Sequence, residues 1–160
     1  MSSRSSVGTF GMLMSVLAAL ALTIMPLPAA IEDFRPDWVM MMLIYWAMVA
    51  PQKYSVGTAW LIGIVMDVAQ GTMLGQHALT MCLIVFVTIR FHLQMRVFPL
   101  TQLTLTVMAM LSAYQFLLFW INGVAGVTAP ATVYWGPVIT GTLIWPALSM
   151  FMNGLRFRRG

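Results

Sequence analysis

The stretch VGTAWLIGIVMDVAQGTML, from Val56 to Leu74, sets one carboxylate inside an apolar run long enough to cross a bilayer. A carboxylate left in hydrocarbon costs roughly 2.5 to 3.5 kcal/mol on insertion scales, so Asp67 is expected to face protein or serve a function. Read as one helix, the stretch and its next residue place Gly63, Asp67, Gly71 and Gly75 at four-residue intervals, and Ala59 extends the series backward. Such a stripe of small side chains lets a second helix approach closely, within this bundle or from a partner, and gives the acid a protein surface. Close packing along the stripe predicts that Gly71→Leu does more harm than Asp67→Asn.

Outward from this stretch the whole chain is apolar. Of its 160 residues 61% are hydrophobic and 8% charged, with a mean hydropathy of +0.90, which excludes a water-soluble domain with a polar exterior. At about 20 residues per span, five or six spans use up the chain and leave no room for a soluble enzyme or a nucleic-acid module. The net charge of +4 comes from basic residues at span ends, where they act as topology signals and headgroup contacts. The single cysteine, Cys82, lies in mid-span and allows no disulfide within the chain.

Charge, Pro and Gly divide the sequence into six apolar segments at approximately 10–30, 38–50, 55–74, 78–91, 100–121 and 133–152. The expected fold is all-α, a polytopic membrane protein with six transmembrane helices in one bundle, forming a single domain over 1–160. A cytoplasmic N-terminus then puts Arg4, Lys53, Arg90, Arg96, Arg156, Arg158 and Arg159 inside and only Arg35 outside. The same tally results if the second segment fails to span and the N-terminus lies outside, and both arrangements keep the C-terminus cytoplasmic. Six spans are preferred because WVMMMLIYWAMVA, Trp38 to Ala50, has no polar face, which an interfacial helix needs. At about 20 Å as a helix it must tilt little, recruit flanking residues or sit where the bilayer is thin. Arg4 and the long run after it resemble a secretory signal, but 10–30 is a full span where a cleavable core is shorter.

Arg35, Pro36, Asp37 and Trp38 form a second cluster, in the expected external turn. Pro36 suits a helix start, Asp37 can cap the second span and Trp38 can anchor its interface. Arg35 has Glu32, Asp33 and Asp37 nearby to neutralise it. The tetrad is either a self-contained capped turn or a docking surface for a partner. At the cytoplasmic side, Arg90, Arg96, Arg156, Arg158 and Arg159 are candidate lipid contacts.

No catalytic constellation emerges. His77 and His92 fall at opposite span ends, about 22 Å apart along a helix, with no Cys or carboxylate at ligand spacing, so no metal or other cofactor is expected. His77 is read instead as helping to cap the turn after Gly75. Intramembrane hydrolysis would need a nucleophile beside a base or a second acid beside Asp67. The sixteen methionines read as flexible apolar filler.

RPDW at Arg35 to Trp38, Tyr45 and Trp46, Pro51, GTAWLIG from Gly57 to Gly63, Asp67, Gly71 and LGQHAL from Leu74 to Leu79 together resemble the MreD family of the bacterial rod-shape system. The resemblance implies a non-enzymatic component of the bacterial cytoplasmic (inner) membrane, within the machinery that elongates the peptidoglycan wall. Implied partners are the single-span protein MreC, MreB, RodZ, RodA and a class B penicillin-binding protein, with membrane lipids and without nucleic acid. The alternative is a small-solute binding or transport subunit, like the substrate-binding components of energy-coupling-factor transporters. In that case Asp67, Gln70, Gln76 and Gln115 would line a midplane pocket.

Overall fold

A computed structural model of the chain describes residues 3–157, and side chains over 9–155. The described residues form seven helices and no strand: α1 (Ser3–Ile24), α2 (Ala29–Glu32), α3 (Trp38–Val49), α4 (Val56–Gln70), α5 (Gln76–Val97), α6 (Leu100–Val124) and α7 (Ala131–Phe157). By length and composition α5, α6 and α7 can cross a membrane, and shorter apolar helices occupy Thr9–Ile24, α3 and α4. The first expected segment is not continuous to residue 30. Pro26 and Pro28 lack the N–H that would continue the helix, so α1 stops at Ile24 and the short α2 follows as a separate turn. α5 and α7 outrun the expected 78–91 and 133–152, because basic residues near a helix end do not terminate it.

α3 lies at the centre. It packs against α1, α5 and α7, while α4 lies on α5, and α6 bridges α5 and α7. Every residue from Val39 to Met48 is buried, which explains the missing polar face: a helix apolar all round is one enclosed on all sides. The other helices bury one stripe each. On α1 it is Met12, Val16, Ala19 and Thr23, and on α6 Leu103, Val107, Met110, Leu111, Tyr114 and Leu118, both at helical three- and four-residue spacing. Their outer faces carry exposed Leu17, Phe116 and Phe119, as a lipid-facing surface requires. On α7, Gly141 admits the side chains of Leu111 and Met41, the nearer of which would lie 2.9 Å from an added Cβ.

The helices after α2 reverse direction at short connections. Glu32, Asp33, Asp37 and Asp67 therefore fall at one end of the bundle, here called the acidic end, and Lys53 and Arg96 at the other, the basic end.

Candidate functional site

The polar residues singled out by the sequence gather mainly at the acidic end, in two clamps. In the first, α4 ends at Gln70 and the chain turns through Gly71, in the left-handed region at φ 63°, and Gly75, at φ 97°. Glycine tolerates this backbone without the steric cost a Cβ would bring. The turn brings the start of α5 back over the last turn of α4. The Asp67 carboxylate accepts the backbone N–H of Gly75 at 2.8 Å and of His77 at 3.0 Å, so an acid from one helix caps the orphan donors that open the next. Thr72 Oγ1 donates to it at 3.0 Å, and His77 Nδ1 lies 2.8 Å from the same oxygen. Asp67, His77 and Thr80 are all buried, and the His77 ring stands beside Tyr114 of α6. His77 thus does join the turn, and it has the carboxylate neighbour that linear spacing concealed.

The four-residue stripe is consequently two different things. Gly63 is a packing position: an added Cβ would lie 2.3 Å from Ala78 Cα and 2.6 Å from Ala78 N, so α4 and α5 touch backbone to backbone. Ala59 is buried on the same face. Gly71 and Gly75 lie beyond the helix, and an added Cβ at either meets nothing within 4 Å. Their requirement is conformational, which overturns the close-packing expectation for Gly71→Leu.

The second clamp holds the Glu32 to Trp38 turn. Arg35 points its guanidinium at the end of α1, donating from Nη1 to Thr23 O and from Nη2 to Met25 O at 2.8 Å. A cation there satisfies orphan carbonyls and complements the helix dipole. Its expected neutralisation by nearby acids is not observed among the described residues; the Asp33 and Asp37 carboxylates go elsewhere. Asp33 Oδ2 accepts from Thr132 Oγ1 at 2.7 Å, and the Asp33 backbone crosses Gly136 of α7 so closely that a Cβ would lie 2.2 Å from the Asp33 carbonyl oxygen. Asp37 stands at the N-cap position of α3 but makes no side-chain capping bond there. Instead Gln115 Nε2, from α6, donates to its Oδ2. Burial pushes the Asp37 carboxyl up to about 6, the Gln115 hydrogen bond partly offsetting it. Pro36 and Trp38 are half-buried, Trp38 against the core.

At the basic end, Arg96 repeats the device of Arg35. Its Nε donates to Met48 O at 2.9 Å and its Nη2 to Val49 O, closing the C-terminus of α3. The last carbonyls of α3 have no partner within their own helix, and Arg96 supplies the donors. Arg90 is exposed. Arg158, Arg159 and the side chain of Arg156 lie outside the described residues. Among the aromatic residues near the helix ends, Trp120 and Trp135 are exposed, whereas Tyr134 is buried and accepts from Asn122 Nδ2, and Tyr54 packs on Trp46.

The polar residues of the transport alternative do not converge. Gln70 is exposed, Gln115 is bonded to Asp37, and the two clefts at the basic end include none of Asp67, Gln70, Gln76 or Gln115. The roles of Arg96 and Arg35 as internal connectors were not legible in the sequence, and for His77 only its place at the turn was, not its carboxylate partner. The available signal was three long polar side chains in a chain nearly without them.

Apolar helices around a buried central helix, tied at their ends by charged and polar clamps, define a helical membrane protein. A family model described as rod shape-determining protein MreD matches residues 4–155, and the chain belongs to that family. The rod shape-determining protein MreD of Haemophilus influenzae is 25% identical over 159 residues, which cover 98% of this chain and 96% of that protein. No solved structure matches the chain. The family is one of shape-determining proteins, with no known enzymatic activity.

Proposed function

We propose that the chain crosses the bacterial cytoplasmic membrane six times as a single domain, with both termini inside, and serves as a non-enzymatic scaffold of the cell-elongation complex. In this reading α1, α3, α4, α5, α6 and α7 are the spans. α3 crosses within protein, which removes the objection that it is too short to face lipid. The acidic end lies outside and the basic end in the cytoplasm, as the distribution of Lys and Arg favours.

The observation that carries the scaffold reading is the use of the few polar groups. Asp67, His77, Arg35, Asp37 and Gln115 are engaged in holding helices to one another, while exposed apolar faces on α1, α4, α6 and α7 remain for lipid and for other spans. Spans that close-pack against such faces, with interhelical hydrogen bonds, associate in membranes. Their partners are proposed to be an MreC-like single-span protein and the synthases RodA and a class B penicillin-binding protein, with MreB and RodZ joined directly or through them. The product of that assembly is lateral peptidoglycan synthesis and a rod-shaped cell.

Co-purification of the full chain with a co-expressed MreC-like protein in mild detergent tests the assembly role. Capture is expected, and cells lacking the chain should round. Folded protein that captures no such partner would defeat the reading. Cysteine labelling from either side of the membrane, placed at residues 52 and 127, tests the orientation separately.

A further inference from the structure

Two clefts meet at the basic end. The first, of about 550 Å³, lies between the C-terminal ends of α3, α5 and α7 and the start of α6, with Val49, Arg96, Leu100 and Asn153 among its walls. The second, of about 400 Å³, is a groove between α5 and α6 that shares Met95 and Phe98 with the first and is otherwise mostly apolar. We propose that the pair is a binding site for an anionic phospholipid, with its phosphate at the Arg96 end and one acyl chain along the groove.

Charge argues for the headgroup. Arg96 uses Nε and Nη2 on the carbonyls of α3, and its Nη1 has no partner among the described residues. A guanidinium fixed by its other edge is a preorganised phosphate donor. Beside it α6 begins after Pro99 with no side-chain cap, so first-turn N–H groups remain open at the same cleft. The Asn153 amide, whose Oδ1 meets Tyr45 Oη, adds a further donor. All four acidic residues of the sequence lie at the opposite end, so no acidic side chain here would repel an anion or receive an ammonium headgroup.

Dimensions argue for the chain. From Ile84 to Phe98 the groove follows α5 for about 21 Å, enough for the depth of one leaflet, about 15 Å. The groove is therefore long enough for one extended hydrocarbon chain. The proposal rests on the membrane orientation given above but not on the assembly role, and protein that captured no partner would still retain the lipid.

The test is native mass spectrometry of the full chain after reconstitution in vesicles of phosphatidylglycerol and phosphatidylethanolamine with the same acyl chains. The native protein is expected to retain phosphatidylglycerol preferentially. Arg96→Gln should reduce that preference about ten-fold or more, the scale of a charge-assisted hydrogen bond. Because Arg96 also closes α3, the groove is tested separately with Ala109→Phe and Ala113→Phe, both exposed positions that fill it without touching the core. With melting unchanged, these variants should lose the retained lipid. Equal retention of both lipids, or a phosphatidylglycerol preference that the groove variants leave intact, would mean ordinary surrounding lipid and overturn the proposal.

Discussion

α3 is buried on all sides and the α4–α5 hairpin on one face, and the two are held by opposite means. α3 is enclosed by Met, Leu, Ile and aromatic side chains, with Met40, Met41 and Ile44 fully covered, and its packing is adaptable because methionine fills irregular space. The hairpin depends on single atoms: a missing Cβ at Gly63, a carboxylate at Asp67 and positive φ at Gly71 and Gly75. In an apolar solvent, burial of hydrocarbon no longer distinguishes inside from outside, so position is set by contacts that only one arrangement can make. The hairpin carries such contacts and α3 receives its place from its neighbours.

That contrast can be broken most directly at Gly63. Gly63→Leu must push α4 off the α5 backbone, and it is expected to cost more than about 3 kcal/mol, beyond ordinary overpacking, because backbone cannot step aside. Thermal unfolding of purified protein in detergent measures it, and a melting temperature near that of the native chain would refute the backbone contact. Next comes Asp67→Ala, which strands the N–H groups of Gly75 and His77 and is expected to cost about 2–4 kcal/mol. Asp67→Asn keeps one acceptor and should fall below it in the same assay.

Gly71→Leu should cost about 1–2 kcal/mol, the penalty of a left-handed residue, and Gly71→Ala should cost the same because the position is exposed and an added Cβ meets nothing within 4 Å. A larger loss for Leu than for Ala would restore the packing interpretation of the stripe. At the entry to α3, Asp37 offers a milder test. Its carboxyl titrates near 6 in the folded chain, above its ordinary 3.8, so the folded state binds the proton more tightly. Stability should therefore rise as pH falls through about 6 and level off below about 4, and Asp37→Asn should remove that part of the pH dependence of melting. Smallest of all, Met41→Leu in α3 should change stability by at most about 1 kcal/mol, since volume is conserved in a tolerant core. A large effect there would mean that α3 is as specifically keyed as the hairpin.

From the sequence alone, composition and segment lengths determined the helical membrane class, because every backbone polar group in hydrocarbon must be satisfied within its own helix. The order of RPDW, GTAWLIG, Asp67 and LGQHAL determined the family. Asp67 and Gly63 stood out because an acid and a glycine in an apolar run have few physical reasons to be there. Tertiary structure alone decided what those residues touch. Helical periodicity carried the stripe through Gly71 and Gly75, but the helix stops at Gln70 and the chain folds back, so Asp67 meets His77 ten residues on. The enclosure of α3, and the turning of Arg35 and Arg96 onto carbonyls of α1 and α3, depend on which helices become neighbours. In a membrane that choice rests on a handful of polar and close-packed contacts between distant residues, and linear spacing does not record them.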